Sequence, residues 1–175
     1  EQKIKALEKT ALIYEKKWLN EEKLYKAYSN LLKKNANNVK ALKYFKVLAI
    51  QMQDWKTGIG YLHRLLRAVN GPTEKIRIAQ EAAAIALYQL NLADESLNIL
   101  DQYCSDSYLD TSTIRYDANM RLDRLDACIV ILNEVFKDDL ETNEKAIIYF
   151  KLGTLEDKRN NKREALRYFS LSFEH

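Results

Sequence analysis

The chain has 175 residues, with 28 Lys and Arg against 25 Asp and Glu, and its 47% hydrophobic and 30% charged content is that of a folded globular protein, not a disordered one. One proline and four glycines are too few turn residues for an all-β protein, so long helices are expected. No apolar run reaches the roughly 18 residues of a membrane-spanning helix, and the opening EQKIKALEK lacks the apolar core of a signal peptide.

In chain order, apolar residues recur at helical spacing: Ile4, Leu7, Ala11 and Tyr14; then Leu24, Tyr28 and Leu31; then Leu42, Phe45 and Leu48; then Ile59, Leu62 and Leu66. Short polar breaks interrupt the pattern at 18–22, 35–38, 53–55, 70–73, 91–95, 105–110, 121–124, 137–143 and 159–162, which predicts ten helices. Helices of about 12 to 17 residues joined by tight turns double back on one another as antiparallel pairs.

The second helix of each pair aligns with the others without gaps: KLYKAYSNL (23–31), TGIGYLHRL (57–65), ESLNILDQY (95–103), ACIVILNEV (127–135) and EALRYFSLS (164–172). The second position holds Leu24, Gly58, Ser96, Cys128 and Ala165, small in four of the five. Four places later stand Tyr28, Leu62, Leu100, Leu132 and Phe169, all large. Successive anchors lie 34, 38, 32 and 37 residues apart, a repeat near 34 with slack in the loops.

A helix-turn-helix unit of this length, with a small residue early in helix B and a large one four places on, resembles the tetratricopeptide repeat. The last unit carries the resemblance furthest, with Tyr149, Leu152, Gly153, Ala165 and Phe169 at the family's spacings. Gly153 and Ala165 are expected to meet where helix A crosses helix B, the close approach offsetting the cost of a glycine in mid-helix, about 1 kcal/mol. Trp55 and Leu125 fit the apolar place three residues before the anchor, where the turn packs down before helix B starts. Unit one departs from the pattern at Leu24, and unit four has a polar helix A, with Asp110, Asp117 and Asn119 around Ile114 and Ala118. A related helical solenoid, such as one of half-a-TPR type, would give a similar pattern.

The resemblance implies an all-α, right-handed superhelical solenoid of about five antiparallel helix-turn-helix repeats. Residues 1–175 form a single array of approximate units 1–36, 37–70, 71–107, 108–141 and 142–175. Helix A of each unit lines a concave groove suited to a peptide or a helix of a partner protein. Carried over by family position, the partner-binding residues are Lys9 and Ile13, Lys43 and Val47, Glu81, Ile85 and Tyr88, Asp117, and Phe150 and Thr154. Chaperone-binding members hold a C-terminal carboxylate with asparagines and basic residues. Here Ile13 or Val47 and then Tyr44 stand where the asparagines would be, so a chaperone tail is not the expected ligand.

Nothing in the sequence assembles a reactive constellation. The two histidines are His63 and His175, too few for a metal pair, and GIG at 58–60 lacks the lysine of a phosphate loop. Paired carboxylates such as Asp138 and Asp139, or Asp123 and Asp126, fall in loops and at helix starts. No catalysis, cofactor or metal is expected, and the reading is of a non-catalytic interaction scaffold. Cys104 and Cys128 are expected as buried free thiols, which favours a reducing compartment and a cytoplasmic location. The lack of an initiator Met and the apolar ending ALRYFSLSFEH read as a piece of a longer protein.

The net charge of +3 is unevenly spread: residues 1–50 hold 12 basic against 5 acidic residues, and residues 91–142 hold 4 against 12. Two alternatives follow. The first is an assembly module, docking its basic N-terminal region and its acidic 91–142 region on a neighbouring subunit or another copy. The second is nucleic-acid binding by YEKKW (14–18), YKAY (25–28) and KALKYFK (40–46). The second is the weaker, because these aromatics lie at core spacing and the lysines on the solvent stripe.

Overall fold

The computed structural model describes residues 2–17, 21–105, 109–137 and 140–174. Among these described residues there are ten α-helices: α1 (Gln2–Lys17), α2 (Glu21–Lys34), α3 (Val39–Gln51), α4 (Trp55–Ala68), α5 (Pro72–Ala84), α6 (Ala93–Tyr103), α7 (Ser112–Arg121), α8 (Leu125–Val135), α9 (Thr142–Lys158) and α10 (Lys162–Glu174). No strand occurs among the described residues. The connections 35–38, 52–54, 69–71, 90–92, 122–124 and 159–161 fall on the polar breaks of the sequence. Parts of the breaks at 18–22, 105–110 and 137–143 lie outside the described residues, Asp138 and Asp139 among them.

Local chemistry starts several of these helices. Asn38 caps α3 by accepting a hydrogen bond from the Ala41 amide at 3.0 Å, and Asp54 caps α4 through the Thr57 amide at 3.2 Å. Pro72 opens α5, where its missing N–H costs nothing, and Glu141 with Glu144 forms a capping box on α9. Trp55 and Leu125 are the first residues of α4 and α8, so they begin helix B instead of preceding it.

The turns inside the second to fifth repeats share a left-handed residue. Gln53, Asn91, Asp123 and Asn160 adopt left-handed backbone, with φ of 56°, 57°, 54° and 60°. Each lies five residues before its anchor, Gly58, Ser96, Cys128 or Ala165, which fixes the register of units two to five, the polar fourth unit included. The next amide closes the turn: Asp54 to the Ala49 carbonyl at 2.8 Å, Arg124 to Asn119 at 2.9 Å and Asn161 to Glu156 at 2.9 Å, each spanning five residues. Leu92 instead reaches six residues back, to Ala86, at 2.8 Å. The extra residue is taken up by a π-helical turn at Ile85–Gln89 that prolongs α5.

Three helices, α6, α7 and α8, have 11, 10 and 11 residues, shorter than the expected minimum of about 12. Their anchors, Ser96 and Cys128, are the closest pair in the chain, and a 3-10 turn at Leu109–Thr111 precedes α7.

The chain divides into two compact units, Glu1–Ile85 and Ala86–His175. In the first, Ala11, Ala27, Tyr28, Leu31, Ala41 and Phe45 form a core shared by α1, α2 and α3, with Leu48 and Tyr61 packed against it, so neighbouring repeats bury one continuous surface. In the second, Cys128, Leu132, Ile148, Leu152 and Leu155 form the main core and Leu87, Ala93, Leu97 and Ala118 a smaller one. The polar face of α7 is partly internal. Arg115 is buried and donates to the Thr111 hydroxyl at 3.0 Å and to Asp101, while buried Asn119 donates to the Arg115 carbonyl at 2.8 Å. These bonds satisfy the groups that break the apolar pattern.

Gly153 on α9 lies against α10. A Cβ added there would stand 2.7 Å from two ring atoms of Phe169 and 3.2 Å from the Ala165 carbonyl, so the helices cross where the sequence pattern puts the crossing.

Candidate functional site

In the first compact unit, Leu12, Tyr28, Lys40, Lys43, Tyr44 and Val47 line a cleft of about 410 Å³ formed by α1, α2 and α3. Lys9 and Ile13 on α1 and Val47 on α3 are exposed, and Lys43 is half-buried. Tyr44 stacks on Tyr28 with ring centres 4.6 Å apart, and burial raises its pKa. The floor is aromatic and the rim is cationic.

Ion pairs tie α3 to α5 along the same side. Lys43 meets Glu74 at 2.5 Å and Lys46 meets Glu81 at 2.7 Å. The Lys43 ammonium, by hydrogen bond and charge, holds the Glu74 carboxyl below its usual range. Glu81 is therefore engaged within the molecule. Ile85 is buried, with 7% of its surface exposed, and offers nothing to a partner. The π turn explains the displacement: counting back from Ser96 as in a regular helix runs one residue out of step before the turn, and Ile85 then points inward.

In the second unit, Tyr88 and Asp117 come together. The phenol donates to an Asp117 carboxylate oxygen at 2.6 Å, and the Arg121 guanidinium lies 5.6 Å from the centre of the Tyr88 ring. Arg121 also donates to the Leu87 carbonyl in the π turn and, at 2.9 Å, to the Asn91 side chain. Burial and then the Asp117 hydrogen bond push the Tyr88 pKa up to about 12, with Arg121 opposing. On α9, Phe150 is exposed, its ring 5.7 Å from that of Phe169, and Thr154 donates its hydroxyl proton to the Phe150 carbonyl at 2.9 Å.

Sequence reasoning missed Leu12, Lys40 and Tyr44 in the cleft, and Arg121. The first three flank the family positions by one to three residues. Arg121 stands four residues after Asp117, the spacing that sets two side chains on one helical face.

Among the described residues, no three His, Cys, Asp or Glu side chains gather in a way that could hold a metal ion. Burial raises the Cys104 thiol and pushes Cys128 up to about 11, so both are protonated at neutral pH. No helix among the described residues is long and apolar enough to cross a membrane.

No family model matches the sequence, and no curated protein matches it. Solved structures do. A MamA RS-1 double mutant is 12% identical over 99% of this chain and 94% of its own, with a TM-score of 0.63. YrrB, described as a TPR protein with an unusual peptide-binding site, is 16% identical over 94% of this chain and 81% of its own, with a TM-score of 0.61. A further MamA structure is 16% identical over 98% and 90%, with a TM-score of 0.60. At such identity the likeness is one of fold. Together with the repeated left-handed turns and the Gly153 crossing, it gives the chain a tetratricopeptide-repeat-like, all-α helical repeat fold.

Proposed function

We propose that the chain is a non-catalytic interaction scaffold that takes a peptide or helical segment of a partner protein on its helix A faces. The observation that carries this reading is the α1–α3 cleft, where Leu12 and Val47 stand open beside Lys40, with Lys9 and Ile13 also exposed on α1. Exposed apolar side chains next to cations suit a segment with both apolar and acidic side chains. In the second unit, Tyr88, Asp117, Phe150 and Thr154 offer an aromatic and polar surface of the same kind. A peptide-binding site in YrrB, which shares the fold, adds support.

The test is affinity capture with the wild-type chain beside an Ile13→Glu, Val47→Glu variant of unchanged helicity. Loss of a partner from the variant alone supports the cleft. Equal retention moves binding to another surface and favours the assembly reading, which rests on the charge asymmetry and requires binding that weakens as salt rises.

A further inference from the structure

Two ion pairs join α3 to α5, and they differ in their surroundings. The side chains of Lys46 and Glu81 are 15% and 30% exposed, and Lys46 does not line the cleft. Those of Lys43 and Glu74 are 45% and 36% exposed, and Lys43 is part of the cleft wall. The Lys46 pair is a tie between repeats. The Lys43 pair is open to water, adds little to stability, and neutralises a cation on a binding surface. Lys40, three residues earlier on the same helix, also lines the cleft; it is exposed and has no acidic partner among the described residues.

Glu74 has a second place to put its charge. It is the third residue of α5, whose N-cap, Gly71, makes no side-chain cap. A carboxylate at that position is favoured by the helix dipole and can reach back to the N-cap amide, so Glu74 released from Lys43 is still stabilised by its own helix.

We propose, resting on the cleft reading above, that Lys40 and Lys43 select an acidic side chain in the partner segment and that Glu74 is a built-in competitor which this side chain displaces. The occupant is an extended segment that carries its acid two residues from a large apolar side chain. Lys43 and Val47 are four residues apart on α3, or about 6 Å along its axis, close to the roughly 6.6 Å between alternate side chains of an extended chain. With the acid at the two lysines, the apolar side chain falls where Leu12, Val47 and the stacked rings of Tyr28 and Tyr44 line the cleft. Glu74 thereby sharpens the choice: a neutral segment leaves the Lys43–Glu74 pair intact, whereas an acidic one engages both cations.

NMR titration with short synthetic peptides tests this, because it reads weak dissociation constants. The probes are Gly/Ser peptides with Glu-Ser-Leu, Gln-Ser-Leu or Glu-Ser-Ser at their centre. The wild type is expected to bind the Glu-Ser-Leu probe with amide shifts in α1 and α3, and the other two about fivefold more weakly. Glu74→Gln is expected to tighten the Glu-Ser-Leu probe about threefold and to leave the Gln-Ser-Leu probe unchanged, while Lys40→Gln weakens the acidic probe alone. Glu81→Gln removes the same charge without freeing a cleft residue, and should change neither affinity. Equal affinity for the Glu and Gln probes, a Glu74→Gln variant that binds no tighter, or no shifts at about 10 mM peptide overturns the proposal. If Glu74→Gln is silent while the Ile13→Glu, Val47→Glu variant still loses its captured partner, the selection by charge fails and the cleft reading stands; if that variant keeps the partner, the cleft reading itself fails.

Discussion

Tyr88 and Asp117, on neighbouring helices A, share a hydrogen bond of 2.6 Å from phenol to carboxylate. Tyr88→Phe removes the bond and keeps the ring, and is expected to cost about 0.5 to 1 kcal/mol in urea unfolding. The raised pKa sets the sign of the pH effect. A phenol harder to ionise when folded contributes stability in full below its unfolded pKa of about 10, and that contribution is lost as pH rises toward about 12. A difference titration at the tyrosinate absorbance band, wild type minus Tyr88→Phe, should show one group ionising near 12; a group near 10 would contradict the pairing.

Gly153 and Gly60 make a matched pair. Both sit inside helices, but a Cβ at Gly60 would touch nothing within 4 Å, whereas at Gly153 it would meet Phe169 and the Ala165 carbonyl. Gly60→Ala should gain about 1 kcal/mol from helix propensity. Gly153→Ala should lose about 1 kcal/mol despite the same propensity gain, because overpacking outweighs it. Adding Phe169→Ala to Gly153→Ala should shrink the penalty of the glycine substitution, which a double-mutant cycle measures.

The left-handed turn residues differ in how well they suit their backbone. Asparagine and aspartate tolerate this region better than glutamine does. Gln53→Gly is therefore expected to stabilise by about 0.5 to 1 kcal/mol, while Asn160→Gly gives little or no gain. Thermal unfolding of the two variants side by side decides it; equal gains would show that side-chain type is irrelevant at this turn.

Asn38 joins two repeats. Its carbonyl oxygen caps α3 and its amide donates to Glu8 of α1 at 2.7 Å. Asn38→Ala should cost about 1 to 2 kcal/mol, and Asn38→Asp should retain the cap but lose the bond to Glu8. Urea midpoints in the order wild type, Asp, Ala are the expected result.

Helix positions, the polar turns and the Gly153–Ala165 crossing were legible because each leaves a residue-type signature: apolar spacing, a polar break, a missing side chain. The register of unit four was harder to read, since Arg115 and Asn119 are internal but polar, and their pairing with Thr111, Asp101 and backbone depends on the fold. Ile85 was misplaced for a different reason. The stretch IALYQ has the composition of any buried helix, and nothing in it announces a one-residue insertion. The pairs Lys43–Glu74 and Lys46–Glu81 join residues 31 and 35 apart, a separation that no single-helix rule connects.

The π turn at 85–89 has a consequence for the order in which the second unit assembles. A carbonyl near a helix end needs a partner, and for Leu87 the donor is Arg121, which belongs to the following repeat. The end of the third helix A is thus completed only once the fourth has docked, so its cooperativity runs toward the C-terminus. In hydrogen exchange, amides of 86–92 should open together with those of α7, and Arg121→Ala should uncouple the two.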